Sequence, residues 1–212
     1  MPVRSPDFFS LAGSKIALSE ISQRLGIAIP EFETAASLRE LRQLLADSAH
    51  DTLVKANIEG GGARVSEFRA EHQGSLGKID ESWLTVLLQR KVTCVAIAVE
   101  AQFVSRKLVG WIYSKPLRTS TKFGPSTRRM YCGPSSFDFE QTLERLAETA
   151  NLHCFPSVTF IQGQVDNRHY LIEADLRPNA WHQFDPQLGV HWSENLTHNP
   201  AEKLSRQHRL TE

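Results

Sequence analysis

The stretch LVKANIEGGGARVSEF, residues 53–68, places a lysine at the end of a short apolar run and three consecutive glycines a few residues later. The run TLVK, residues 52–55, predicts a strand. Because glycine has no Cβ, the backbone amides of Gly60, Gly61 and Gly62 can surround an anion, while Lys55 supplies a positive charge. No Gly-Lys-Ser/Thr follows and no G-x-G-x-x-G opens a helix. The stretch therefore indicates phosphate binding outside those two motifs, or a flexible surface turn.

A second polar pattern lies in HYLIEADLRP, residues 169–178. Glu173 and Asp175 are two residues apart on a predicted strand, so both carboxylates face one side, and Arg177 follows in the same register. Two carboxylates beside an arginine suit a magnesium ion that bridges phosphates. The alternative is a solvated strand face.

Three helices are predicted from periodicity and capping patterns. The first runs from about Ser14 to Leu25, and the second starts at Ser37, where SLRE has the capping-box pattern. The third lies within residues 135–152, with Ser135 and Asp138 resembling a cap.

Strands are predicted between and after these helices. Residues 92–100 and 101–113 form a pair, joined or bent around Glu100 and turning near residues 105–107. Residues 157–162 and 169–177 form another, with a turn at Asp166 and Asn167. Residues 114–130, rich in proline, glycine, hydroxyl and basic residues, predict a mobile loop. The mixture of helices with antiparallel hairpins is typical of an α+β protein.

The charge balance argues against two classes of partner. The 24 basic and 24 acidic residues cancel over 212 residues, so no overall field attracts nucleic acid or an anionic membrane. No apolar run approaches the length of a membrane span or of a signal-peptide core, and we expect a cytoplasmic location.

The three separated cysteines, Cys94, Cys132 and Cys154, predict reduced thiols rather than disulfides or a metal knuckle.

Taken in chain order, a helix ending in LGIAIP (25–30), the strand lysine, the glycine-rich loop and IEADLRP (172–178) resemble the ATP-grasp superfamily of carboxylate-amine ligases, with its carboxylase and carbamoyl phosphate synthetase relatives. The resemblance runs from about Lys15 to Trp192. It implies two α+β subdomains, with mainly antiparallel sheets, that clamp a nucleotide. The implied divisions are an arm at 1–13, an N-terminal subdomain with the flap at 14–88, a C-terminal subdomain at 89–195 and a polar tail at 196–212.

The resemblance also implies roles for particular residues. ATP would be bound by Lys15, Lys55, Gly60, Gly61, Gly62 and Gln89, the last in the linker strand VLLQRKV (86–92). Magnesium would be bound by Glu173 and Asp175. The catalytic residues would be Lys55 and Arg177, with the arginine holding the transferring phosphoryl group or the substrate carboxylate.

The implied reaction is the activation of a carboxylate by ATP as an acyl phosphate, which an amine or similar nucleophile then attacks. The partners would be ATP, a small-molecule carboxylate and, in some arrangements, a protein partner or a second copy of the chain. Thr159 stands where the family has a metal ligand, Asp175 replaces an asparagine, and only a short arm precedes the first helix. Thr159 and the short arm favour the alternative of a degenerate, non-catalytic nucleotide-binding module or a partner-dependent subunit, whereas Lys55, the glycine loop and the series Glu173, Asp175 and Arg177 favour the enzyme.

The segment from Lys115 to Arg129 carries five basic residues and no acidic one. It is interpreted either as a site for a substrate phosphate or carboxylate, with Lys115, Arg118 and Lys122 as the residues to test, or as a solvated loop. Its aromatic residues are too few for a nucleic-acid stacking platform.

Overall fold

The computed structural model describes residues 13–58, 60, 62–70, 79–132 and 139–176. The helices within these ranges are α1 (Lys15–Arg24), α2 (Leu38–Asp47) and α3 (Glu140–Ala150), with a 3₁₀ turn at Glu81–Trp83. The strands are β1 (Phe32–Ala35), β2 (Thr52–Ala56), β3 (Val65–Phe68), β4 (Val86–Arg90), β5 (Cys94–Val104), β6 (Lys107–Thr119), β7 (Ser126–Cys132), β8 (Ser157–Gly163) and β9 (His169–Asp175).

The first sheet has four antiparallel strands in the order β1-β4-β2-β3. Alternate residues of its strands face opposite sides. Val54 and Leu88 pack with Leu41 and Leu45 of α2 in one apolar cluster. Lys55 therefore faces the side of the sheet away from α2.

The second sheet has five antiparallel strands in the order β7-β6-β5-β8-β9. Its apolar face forms the larger core, where residues such as Val99 and Phe160 pack with Leu143 of α3 and Leu18 of α1. The opposite face is polar, because the cross-strand row of Glu100, Ser157 and Asp175 lies on it. Polar groups are thus concentrated on one side of this sheet.

The structure confirms the first two predicted helices and the predicted cap of the second, and it adds a cap at the start of the first. Ala17 N donates to Ser14 Oγ at the start of α1, and Glu40 N donates to Ser37 Oγ at the start of α2. The third helix begins at Glu140, and the predicted caps Ser135 and Asp138 lie outside the described residues. The turn at Asp166 and Asn167 is also confirmed, since it joins β8 to β9.

The prediction of a mobile loop at residues 114–130 is wrong. Strand β6 extends to Thr119 and β7 begins at Ser126, so this segment is mostly an antiparallel hairpin. Pro116 is accommodated because the register shifts between it and Arg118. The predicted bend at Glu100 is also absent, since β5 runs continuously through that residue. In both places, pairing with neighbouring strands overrides the local composition.

Two further findings concern the expectations from composition. Cys94, Cys132 and Cys154 form no disulfide with one another. No helix among the described residues has the length and apolarity needed to cross a membrane.

Candidate functional site

Lys55 is a buried cation whose hydrogen-bond partner is a neutral amide. Its side chain lies on β2 and only 8% of the residue is exposed. Lys55 Nζ donates to Gln89 Oε1 at 2.6 Å. The two residues are diagonal neighbours on adjacent strands, because Leu53 is the direct partner of Gln89 and Lys55 that of Leu87. The ammonium group is therefore held in place without being neutralised by that bond.

Burial lowers the pKa of Lys55 from 10.5 to about 8. The negative charge of Glu173 raises this pKa, the positive charge of Lys15 lowers it, and the thiol of Cys94 has a smaller raising effect. Lys55 therefore interacts electrostatically with the start of α1 and with two strands of the second sheet. The structure brings together three predicted site residues, Lys15, Lys55 and Glu173, with Gln89 bonded to Lys55.

The start of α1 is tied to the residue that follows β2. Lys15 N donates to the Asn57 carbonyl oxygen at 3.2 Å, and Ile16 N donates to Asn57 Oδ1 at 3.0 Å. Ser14 Oγ also donates to Asn57 Oδ1, at 2.9 Å. Lys15 is consequently fixed beside the segment that leads into the glycines.

We call residues 57–64 the glycine loop; within it, Gly61 and residue 59 lie outside the described residues. Gly62 has φ +70°, in the left-handed region that favours glycine. A Cβ atom at Gly62 would lie 1.8 Å from the carbonyl oxygen of Phe123, whereas one at Gly60 would meet nothing within 4 Å. Gly62 is therefore required by close backbone packing, and Gly60 is open.

Phe123 belongs to the hairpin tip, residues 120–125, which joins β6 to β7. An ion pair reinforces this contact between the tip and the first sheet, because Lys122 is bonded to Glu67 of β3. Lys91 Nζ bonds the same carboxylate at 2.7 Å. Hydrogen bonds from Lys122 and then Lys91 hold the pKa of Glu67 at about 2. The second sheet thus reaches across to the base of the glycine loop.

Glu173 and Asp175 project from the same side of β9. Thr159 is the direct cross-strand partner of Glu173, while Gln162, three residues further along β8, faces the other side. Among the described residues, no group of three His, Cys, Asp or Glu side chains is placed to hold a metal. Two carboxylates nevertheless fit one magnesium ion, because that ion commonly takes its remaining ligands from water and phosphates. Arg177 lies outside the described residues.

One charged group on the polar face was missed by the sequence analysis as a site component. Arg129 Nη1 donates to Glu100 Oε1 at 2.5 Å and to Ser114 Oγ at 3.4 Å, and Arg129 Nε donates to Ser126 Oγ at 2.7 Å. Glu100 is fully buried. The sequence does contain a sign of this pair. Glu100 is the one charged residue in the apolar run of β5, and a buried carboxylate requires a partner.

Comparison with known proteins gives a likeness of structure alone. No protein-family model matches the chain, and no curated protein matches its sequence. A biotin carboxylase from Campylobacter jejuni, solved as a β,γ-ATP complex, is similar with a TM-score of 0.68 and 14% identity over 86% of this chain. D-alanyl-alanine synthetase A from Vibrio cholerae is similar with a TM-score of 0.67 and 15% identity over 95%. The ATP-grasp ligase PsnB, solved with a minimal precursor, is similar with a TM-score of 0.63 and 15% identity over 91% of this chain.

The chain spans only part of each of these proteins: 44% of the biotin carboxylase, 67% of the synthetase and 60% of PsnB. At such low identity the likeness establishes the arrangement of helices and strands. It covers both sheets, since it extends over most of the chain.

Proposed function

Because the chain has the ATP-grasp fold, we propose that it binds ATP and magnesium where its two sheets meet and activates a carboxylate for ligation. Lys15, Lys55 and the glycine loop would bind the phosphates, with Gln89 orienting Lys55. Glu173 and Asp175 would hold the magnesium ion. The division of the chain into subdomains at residues 88 and 89 is part of the same proposal.

The reaction would form an acyl phosphate. A carboxylate oxygen attacks the γ-phosphorus, the bond to ADP breaks, and an amine or similar nucleophile then displaces phosphate from the acyl group. Lys55 and Lys15 would offset the charge of the transferring group, and Arg177 would hold that group or the substrate carboxylate. Bound magnesium would neutralise phosphate charge. The glycine loop would exclude water and so protect the acyl phosphate.

The observation that carries this proposal is the environment of Lys55. Keeping an ammonium group buried is unfavourable unless it has a counter-charge, and its bonded neighbour Gln89 is neutral. Glu173 contributes one negative charge, which the positive charge of Lys15 opposes. The phosphates of a nucleotide would add further negative charge beside the ammonium group. The biotin carboxylase solved as a β,γ-ATP complex supports this reading, because it has the same fold.

Calorimetric titration of ATP, with and without magnesium, tests the proposal. We expect magnesium-dependent binding in the wild type and a loss of the magnesium dependence in Glu173→Gln. Glu33→Gln is the matched control, since Glu33 is an exposed strand glutamate of β1. Equal affinities in the wild type and Glu173→Gln, with magnesium present, would remove Glu173 from the site.

Thr159 supports a second candidate, a nucleotide-binding module without catalysis that regulates or completes a partner. A hydroxyl opposite Glu173 is a weaker magnesium ligand than a carboxylate. The two candidates differ in turnover. The enzyme should release ADP when offered carboxylates with hydroxylamine as nucleophile, whereas the module should bind ATP and release no ADP under any of these mixtures.

A further inference from the structure

Arg118 and Arg128 lie directly opposite each other on the β6–β7 hairpin. They are cross-strand partners in the pairing of the two strands, and both residues are exposed. Like charges in this position are destabilising relative to neutral pairs. The arrangement therefore has an energetic cost that a bound anion would remove.

The protein does not supply that anion from the part of the chain that the structure describes. In the same basic segment, Lys122 is paired with Glu67 and Arg129 with Glu100. Within the described ranges, neither Arg118 nor Arg128 forms an ion pair with a carboxylate. Arg118 and Arg128, two of the five basic residues of the segment, thus face each other without a carboxylate partner among the described residues.

The two arginines line an open recess of about 690 Å³. Its other lining residues are Leu117, Thr119, Ser120 and Thr127. Three of these four carry hydroxyl groups, which donate hydrogen bonds to anionic oxygens. Thr127 Oγ1 already donates to the carbonyl oxygen of Arg118 at 3.4 Å, so the two strands are held together on this side. Guanidinium groups and hydroxyls are the donors that carboxylates and phosphates accept.

The residues that line the recess include none of the nucleotide or magnesium candidates. Arg129, the neighbour of Arg128 on β7, is bonded to Glu100 and does not line the recess. An anion between Arg118 and Arg128 would therefore have its own set of donors, distinct from Lys55 and the glycine loop.

We propose that Arg118 and Arg128 form a second anion site, which binds a carboxylate or phosphate group independently of ATP. The ligand is a group with at least two acidic oxygens, because each guanidinium group can bond such a group through two parallel N–H donors. The hydroxyls of Thr119 and Ser120 would donate to its remaining oxygens, since the hydroxyl hydrogen of Thr127 is already bonded to the Arg118 carbonyl.

Nuclear magnetic resonance of arginine Nε–H groups tests this site directly. Sodium phosphate and sodium acetate are titrated separately into the full chain at constant ionic strength, with chloride as the balancing anion. We expect saturable shifts at Arg118 and Arg128 with at least one of the two anions. The anion giving the tighter curve identifies whether phosphate or carboxylate is preferred. Phosphate that binds near Lys55 is distinguished because it leaves these two resonances unshifted.

Variants provide the second arm of the experiment. Arg118→Gln should weaken the anion response of Arg128 by about tenfold or more, and Arg128→Gln should do the same at Arg118. Arg42→Gln, an exposed arginine of α2, is the control and should leave both curves unchanged. The proposal would be overturned if the Arg118 and Arg128 resonances shifted without saturation and no more than that of Arg42. It would also be overturned if Arg118→Gln and Arg128→Gln, both folded, bound the anion as tightly as the wild type. ATP binding should be unchanged in Arg118→Gln, so this result is independent of the nucleotide site.

Discussion

At the scale of single residues, the proposed site depends on Lys55, whose buried ammonium group donates to the amide oxygen of Gln89. Lys55 was predicted to lie on a strand before a glycine loop, and it does. Gln89 was predicted as a nucleotide contact in a linker strand, which stays a prediction; its bond to Lys55 from the adjacent strand β4 was not foreseen. That bond depends on the strand order β1-β4-β2-β3, which local periodicity does not encode. Glu100 and Arg129 are a similar case, because 29 residues separate them.

The lowered pKa of Lys55 predicts a particular dependence of stability on pH. Its pKa is about 8 in the folded protein against 10.5 ordinarily. Between these values the unfolded chain binds more protons than the folded protein, so the free energy of unfolding contributed by Lys55 rises with pH. The wild type should gain up to about 3 kcal/mol relative to Lys55→Met across this range, at about 1.4 kcal/mol per pKa unit.

Urea unfolding of both proteins at a series of pH values from 7 to about 10.5 measures this difference. Lys107→Met removes an exposed lysine from β6 and should give a profile parallel to the wild type. A constant difference between wild type and Lys55→Met over the whole range would show that Lys55 is not desolvated in the folded protein.

At the scale of elements, the helices and the β8–β9 hairpin followed from sequence because their signals are local. The capping residues Ser14 and Ser37 and the turn at Asn167 act within a few residues. The β6–β7 hairpin was not predicted from the sequence, because its proline, hydroxyl and basic residues favour a loop locally. It forms because β6 already pairs with β5, which continues the sheet towards β7. Edge pairing of this kind depends on neighbours distant in the chain.

The contact between the glycine loop and the hairpin tip predicts that two glycines of one loop will respond differently to alanine. Gly62→Ala should lower the free energy of unfolding by about 1–3 kcal/mol, because a methyl group at a positive φ would overlap the Phe123 carbonyl. Gly60→Ala should change it by less than about 0.5 kcal/mol, since that position is open. Chemical denaturation of the two variants makes the comparison. Equal losses at both positions would mean that loop flexibility, and not packing against the tip, governs stability here.

At the scale of the whole molecule, the order of the motifs was enough to predict a fold with mainly antiparallel sheets, and the fold is the one that the resemblance implied. The connections between the sheets were not predicted. Asn57 ties the first sheet to α1, which packs in the core of the second, and Lys122 ties the hairpin tip to Glu67. These contacts are tertiary, so they have no signature in any one segment. If ATP binds at Lys55 as proposed, these contacts would transmit its effect to both sheets.

We therefore expect magnesium-ATP to slow backbone amide exchange in β2 and β9 together, as hydrogen–deuterium exchange with mass spectrometry would measure. AMP is the matched ligand control, because it lacks the β- and γ-phosphates. Lys55 is proposed to bind these phosphates, and Glu173 is proposed to hold the magnesium ion beside them. AMP should give weaker protection in both strands. Protection confined to a single sheet would contradict a shared site.

The two-residue turn between β5 and β6 has a consequence for the order of folding. Ser105 and Arg106 both have positive φ, at 48° and 72°, in a hairpin turn where asparagine and glycine are preferred. Their amides donate to His153 Nδ1 and to the Leu152 carbonyl, in the segment that follows α3. The turn is thus supported by residues nearly 50 positions later in the chain. As the chain leaves the ribosome, this hairpin should remain only partly formed until α3 and the segment behind it have emerged and docked.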